Sequence, residues 1–184
     1  VTKVIVECGL VQRTEPVTKV TFETPSGIVK VFAEIKDGEV TMLSMENAPA
    51  FLYKKDVELE VEELGRLTVD ICFGGNFFAI VDTAQLPVPL DLAHKDLFGD
   101  YMKKIVKAVE TQVPVCHPEN PALNYLNQVL FYKSDADANG GYTCQCVFGE
   151  AQLDLSPCGT GTCARLAQRF SRGLIGLNES FIQN

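Results

Sequence analysis

Alternation of apolar and polar residues is the strongest constraint that this sequence places on its fold. Residues 17–46 alternate in three runs, separated by turn-forming residues at 25–27 and 37–38. Successive side chains of a strand point to opposite faces, and Ser-Gly and Asp-Gly sequences suit tight turns. The pattern therefore predicts a three-stranded antiparallel meander, followed by a boundary near Asn47.

A second β-rich section is predicted after that boundary, and three helices accompany the strands. Residues 1–10 read as the end of a helix that begins upstream and stops at Gly9. Apolar residues at helical spacing predict an amphipathic helix over residues 95–111 and another after Cys158. Predicted strands of the second section cover residues 57–61, 67–73, 77–82, 126–133 and 141–148.

Charge and cysteine content exclude several classes of partner. The chain has 184 residues and a formal net charge of −8, without a basic cluster, which argues against nucleic acid and anionic membrane surfaces as partners. No apolar run approaches the roughly 20 residues that span a bilayer. Seven cysteines, an odd number without a Cys-x-x-Cys pair, favour reduced thiols and a cytoplasmic location.

The helix after Cys158 is expected to bury its apolar face and to leave its arginines outside. Cys158 precedes Gly159, Thr160 and Gly161, so it stands at the helix N-terminus, and Gly173 ends the helix. Arg165, Arg169 and Arg172 fall off the apolar face. The residues expected to face the core are Cys163, Leu166, Ala167, Phe170 and Leu174.

A thiol at a helix N-terminus lies beside unpaired backbone amides that can bind a carboxylate. Glycines at 159 and 161 allow a ligand to approach those amides closely. The helix dipole contributes roughly 0.3–1 kcal/mol, whereas one pKa unit corresponds to about 1.36 kcal/mol. The dipole alone therefore does not ionise Cys158 at neutral pH. Asp154 would oppose a thiolate, so we expect the stabilising partner to come from elsewhere.

Four ordered segments resemble the proline racemase family. The segment DLSPCGTGTCARLA around Cys158 is similar to the signature of that family's second catalytic cysteine. GGNFFAIVD (74–82), ETPSGIV (23–29) and HPENPAL (117–123) resemble further family segments in the same order. The resemblance covers the whole chain, although Leu155 stands where the family commonly has arginine. The family's Met-Cys-Gly-His-Gly motif is absent, which implies a missing N-terminal half with the first catalytic cysteine.

The resemblance implies an α+β fold like that of diaminopimelate epimerase. In that fold two pseudo-symmetric domains each wrap a curved sheet or barrel around a central helix, with the substrate between the domains. Residues 1–46 would form the C-terminal portion of the first domain, and residues 47–184 would form the second domain with Cys158. A homodimer is a further implication.

The implied activity is cofactor-independent racemisation of proline or epimerisation of hydroxyproline, an isomerase reaction on a small amino acid. One cysteine removes the Cα proton and the other protonates the opposite face, so this chain would be inactive alone. Cys158 would be catalytic, and Gly159 and Thr160 would bind the substrate carboxylate through their amides. Asp154 would accept from the substrate ammonium, and Phe148 would pack on the ring. Neither a cofactor nor a metal is expected.

Simpler interpretations stay open for each of these residues. Cys158 could be an inert buried thiol, Asp154 a turn cap and Phe148 a core residue. Cys144 and Cys146 lie two apart on a predicted strand, which is more typical of core than of a metal site. For the protein as a whole, the alternatives are a non-catalytic ligand-binding relative and a hydroxyproline dehydratase-like member. The retained Cys158 disfavours the dehydratase branch, which has threonine there.

Overall fold

The chain divides between Ala48 and Pro49. The computed structural model describes all residues 1–184, as two units that cover residues 1–48 and 49–184. The predicted boundary after residue 46 lies two residues earlier. The assignment of these segments to two epimerase-like domains stays a prediction.

Three helices and ten strands form the two units. Two short 3-10 turns, Thr83–Gln85 and Leu92–His94, precede the second helix. None of the helices is both long enough and apolar enough to cross a membrane. The helices are α1 (Thr2–Glu7), α2 (Lys95–Gln112) and α3 (Gly159–Ser171). The strands are β1 (Val17–Thr24), β2 (Gly27–Lys36), β3 (Glu39–Glu46), β4 (Phe51–Val61), β5 (Gly65–Phe73), β6 (Phe77–Asp82), β7 (Leu126–Ala136), β8 (Gly141–Phe148), β9 (Gln152–Leu153) and β10 (Ile182–Gln183).

The first unit is the predicted meander with a short helix against it. β1, β2 and β3 pair in that order, antiparallel, and Val20 lies opposite Val31. Gly9 follows α1 with a φ of +71°, a conformation that glycine adopts without strain, so the predicted helix stop is confirmed. α1 buries Val6 completely in a small apolar core with the inward side chains of the strands, which include Ala33 and Ile35.

The second unit is built on a seven-stranded mixed sheet. Its strands follow the order β10-β8-β7-β6-β5-β4, and β9 pairs with β8. β6 and β7 are parallel because α2 connects them as a crossover, whereas β4–β5, β5–β6 and β7–β8 are antiparallel. The α+β class is therefore confirmed. The sheet is open, with β10 and β4 at its ends.

Strand β6 is buried on both faces, which explains its continuous apolar sequence. Phe77 and Ala79 belong to the large core formed with α2, while Phe78 and Ile80 belong to a second core beneath α3. All four side chains are 2 % exposed or less. The sheet therefore separates two layers, and the layer under α3 contains Cys72, Cys146 and Cys158.

The orientation predicted for α3 is wrong, because its polar side faces the sheet. Arg165 and Gln168 are buried, whereas Leu166, Phe170 and Leu174 are 41 to 57 % exposed. The Arg165 guanidinium carbon lies 3.6 Å from the centre of the Tyr132 ring. Helical periodicity shows that a helix has two different faces. Which face is buried depends on the side chains that the neighbouring sheet offers it. Here the sheet supplies aromatic rings and a carboxylate to the arginines.

The carboxylate that anchors α3 belongs to Asp70 of β5. Arg172 donates to both of its oxygens, from Nε at 2.6 Å and from Nη2 at 2.8 Å. The Asp56 amide donates to Oδ1 at 2.9 Å, and Gln168 donates to Oδ2. Burial acts to raise the pKa of Asp70, but these hydrogen bonds together hold the pKa below its usual value. Asp70 is therefore a buried carboxylate whose two oxygens each accept two hydrogen bonds.

A close backbone contact positions the other end of α3. Gly74, in the bend after β5, lies directly under the first turns of the helix. A Cβ atom added there would lie 2.2 Å from the Thr160 carbonyl oxygen and 2.5 Å from the Ala164 nitrogen. Both contacts are with backbone, which no side-chain rotation can relieve. Only glycine permits this approach.

We predict that Gly74→Ala lowers the free energy of unfolding by about 3 kcal/mol, because α3 must move away from the sheet. Gly176→Ala is the control. Gly176 is exposed, and its added methyl would meet only the carboxyl group of Glu179, at 3.3 Å, which can rotate away, so its effect should stay within about 1 kcal/mol. Urea unfolding followed by circular dichroism measures both variants. Equal stability of the two would contradict the close-approach argument.

We predict that Asp70→Asn lowers the free energy of unfolding at neutral pH by about 3 kcal/mol, because Arg172 and Gln168 lose a buried partner. A carboxyl whose pKa is lower in the folded chain stabilises the fold above its unfolded pKa of about 3.9. It loses that contribution as the pH falls through the folded value. The difference between wild type and variant should therefore shrink on acidification from about pH 7 to about pH 3.

The exposed Asp135→Asn is the control for this experiment and should unfold like the wild type at both pH values. A stability difference between wild type and Asp70→Asn that is independent of pH would contradict an ionised Asp70 in the folded chain.

Candidate functional site

Cys158 is the residue that joins the β8–β9 hairpin to α3. It is the N-cap of the helix, with φ +61° and ψ +101°, and its side chain lies in the core under α3. A residue other than glycine with positive φ costs roughly 1–3 kcal/mol and persists only where its surroundings impose it. Ser156 Oγ accepts from the Cys158 amide at 3.1 Å, and Thr162 donates its amide to the Cys158 carbonyl at 2.7 Å.

Cys158 is 7 % exposed, and hydrogen-bond donors surround its thiol. Thr160 Oγ1 lies 3.8 Å from Sγ. Hydrogen bonding by the Cys146 thiol lowers the pKa of Cys158, burial opposes this, and the Gly161 amide and Thr160 hydroxyl lower it further. The net effect is a pKa below the usual thiol value. Gly161 permits the contact, because a Cβ there would lie 3.0 Å from Sγ.

Cys146 on β8 is the partner that the sequence did not identify. It is 1 % exposed, and the hydrogen bond with Cys158, followed by burial, raises its pKa. Burial likewise raises the pKa of Cys144 to about 12. Among these three thiols, the pKa is lowered at Cys158 and raised at Cys144 and Cys146. Cys146 lies twelve positions from Cys158 on another element, and its Cys144-Gln145-Cys146 strand context resembles ordinary core.

Asp154 lies beside this thiol pair at the start of the segment that leads to Cys158. Its Oδ1 accepts from the Ser156 amide at 2.9 Å and from the Ser156 hydroxyl at 2.7 Å, so Asp154 does cap a turn. Gln145 donates to the Asp154 carbonyl at 2.8 Å. A carboxylate has about four acceptor positions, so this cap leaves capacity for a further donor.

The remaining predicted residues lie at the start of α3 and at the end of β8. Gly159 and Thr160 begin α3, and the amides of a first helical turn have no partner within the helix. Phe148 ends β8 and is 37 % exposed, so the interpretation of an ordinary core residue is wrong. The structure thus brings together Cys158, Thr160 and Asp154. Their roles toward a substrate stay predictions.

One set of donors is close enough to hold a metal ion. The Sγ atoms of Cys146 and Cys158 and a carboxylate oxygen of Asp154 all lie within 4.8 Å of one another. All seven cysteines are free thiols; Cys8 and Cys116 are exposed, and Cys144 and Cys163 are half-buried. The expectation that Cys163 is a helix-core residue is therefore only partly met.

Comparison with known proteins identifies relatives over the whole chain. The chain is 35 % identical to the proline racemase of Acetoanaerobium sticklandii over 180 residues, which are 97 % of this chain and 54 % of that protein. It is 34 % identical to the 4-hydroxyproline 2-epimerase of Streptosporangium roseum over 182 residues, 99 % of this chain and 54 % of that protein.

A solved structure supports the same relationship. A hydroxyproline epimerase from Agrobacterium vitis, with bound trans-4-hydroxy-L-proline, superposes with a TM-score of 0.91 at 29 % identity, over 98 % of this chain and 52 % of that one. The chain thus spans about half the length of the relatives that it matches. The family model described as "Proline racemase" matches residues 1–184, and the chain therefore belongs to the proline racemase family.

Proposed function

We propose that this chain supplies one of the two acid/base cysteines of a cofactor-independent isomerase that racemises proline or epimerises 4-hydroxyproline. The observation that carries the proposal is the Cys158 thiol. It lies at the N-terminus of α3, in the family's Ser-Pro-Cys-Gly-Thr-Gly-Thr context, with its pKa held below the usual thiol value. As a thiolate such a group can remove a proton from the substrate, and as a thiol it can donate one.

The reaction requires bases on both faces of the substrate Cα. In one direction Cys158, as thiolate, removes the Cα proton, and a cysteine of the remaining half delivers a proton to the opposite face. In the reverse direction the roles exchange, so the two thiols titrate as a coupled pair. Because the chain covers about half of its relatives, we propose that it is inactive alone.

The side chains around Cys158 provide substrate contacts of the required chemistry. We propose that the amides of Gly159 and Thr160 bind the substrate carboxylate, as helix N-termini bind anions. Asp154, with its remaining acceptor capacity, would take the substrate ammonium, and the half-exposed ring of Phe148 would pack on the pyrrolidine. These contacts would orient the Cα–H bond toward the thiol.

Three further features are part of the same proposal. The sheet and helices would correspond to one diaminopimelate epimerase-like domain and part of a second, pseudo-symmetric one. The complete protein would be a homodimer in the cytoplasm. Its alternative functions are ligand binding without turnover and hydroxyproline dehydration.

We predict that Cys158→Ser, in the polypeptide extended to the length of its relatives, slows interconversion of L-proline or 4-hydroxyproline at least about 10³-fold. Serine preserves the size but is too weak an acid to alternate as base and acid. Exchange of the Cα proton for deuterium, followed by NMR in heavy water, measures the step directly. Cys163→Ser, on the same helix, should retain the wild-type rate. An active Cys158→Ser variant would refute the assignment, and a wild type without exchange would favour a binding protein.

We also predict that residues 1–184 alone do not racemise L-proline, because the opposing base is missing. Chiral chromatography of L-proline and of trans-4-hydroxy-L-proline after incubation with the chain measures this. D-proline that forms with the repurified wild-type chain and not with its Cys158→Ser variant would contradict the two-cysteine mechanism.

A further inference from the structure

Three potential metal ligands converge at the start of α3 from three different segments. Cys146 comes from β8, Asp154 from the segment after β9, and Cys158 from the helix N-cap. Their ligand atoms all lie within 4.8 Å of one another. Cys146 and Cys158 are 1 and 7 % exposed, so a bound ion would be largely shielded from water.

The geometry is close to that of a tetrahedral Zn²⁺ site. Zinc binds thiolate sulfur at about 2.3 Å and carboxylate oxygen at about 2.0–2.2 Å. Two sulfurs on a tetrahedron of that size are separated by about 3.8 Å. A cluster within 4.8 Å therefore reaches bonding distance through movements of about 1 Å or less. Two thiolates also select soft or borderline ions over Mg²⁺ and Ca²⁺.

Charge and outer contacts favour the same ion. Two thiolates and one carboxylate carry three negative charges, so the Zn²⁺ complex would have a net charge of −1. That residual charge would lie at the positive end of α3, which favours anions. Ser156 already fixes one oxygen of Asp154 through two hydrogen bonds, and such outer contacts orient metal-binding carboxylates.

We propose that Cys146, Asp154 and Cys158 form a binding site for Zn²⁺, with water as the fourth ligand. Binding forms two Zn–S bonds and one Zn–O bond and releases the two thiol protons to solvent, without a change of oxidation state. The site is distinct from a catalytic metal centre, since an ion there would occupy the Cys158 sulfur. If Cys158 is the proposed acid/base group, Zn²⁺ would inhibit the enzyme reversibly.

The test uses the chain itself. Its cysteines are kept reduced with a phosphine, because a thiol reductant would compete for the metal ion. Co²⁺ serves as the spectroscopic probe for Zn²⁺. We expect one Co²⁺ per chain with a near-ultraviolet thiolate-to-cobalt charge-transfer band, displaced by Zn²⁺ and not by Mg²⁺. Cys146→Ser and Asp154→Asn should each weaken Zn²⁺ binding at least about tenfold. Cys163→Ser and Cys116→Ser, which change thiols outside the cluster, should bind like the wild type.

A second measurement keeps the proposal testable if Cys146→Ser does not fold. Iodoacetamide labelling of the wild-type chain, read at each cysteine by mass spectrometry, should slow at Cys158 with Zn²⁺. Cys146, which is 1 % exposed, should label slowly with or without Zn²⁺. Labelling of the exposed Cys8 and Cys116 should be unchanged. Unchanged labelling of Cys158, or wild-type affinity in a folded Cys146→Ser variant, would overturn the proposal. Either outcome is independent of Cα proton exchange, so it leaves the proposed reaction untouched.

Discussion

The contact between Gly74 and the first turns of α3 is the constraint on which the candidate site depends. Backbone meets backbone there with no room for a Cβ atom, so the start of α3 and the bend after β5 have fixed positions. Near the other end, Asp70 binds Arg172 and Gln168. A helix held near both ends by β5 and by the bend that follows it has little freedom to rotate. Because Cys158 is the N-cap of α3, its backbone position is fixed as well.

The surroundings of the Cys158 thiol shift its pKa in two opposing directions. Removal from water favours the neutral thiol, as it does for Cys144. Donors that converge from Cys146 and from the Gly161 amide reverse this at Cys158 and lower its pKa. The pair therefore has one thiol with a lowered pKa, Cys158, and one with a raised pKa, Cys146. The same proximity that supports acid/base chemistry also makes the pair suitable for a thiophilic metal ion.

Membership of the proline racemase family and the geometry of the site address different questions. The family relationship extends along the whole chain, but the relatives are about twice as long. The proposal assigns the Cys158 thiol, the first-turn amides and the Asp154 carboxylate to one face of the substrate. Because the proposed reaction needs a second base on the other face, the activity is proposed for a polypeptide of the relatives' full length.

The sequence by itself determined the longer elements and the position of Cys158 at a helix N-terminus, but not the two-residue strands β9 and β10. Period-two alternation defined the meander, and the small residues after Cys158 defined the helix start, because both signals are local. The buried face of α3 was decided only by the tertiary structure. Its apolar and arginine faces have the same periodicity, and the choice depends on Asp70 and Tyr132, which are distant in sequence. The pairing of Cys146 with Cys158 could not be predicted for the same reason. It depends on the strand register and on the backbone contact at Gly74, and the local spacing of residues encodes neither of these.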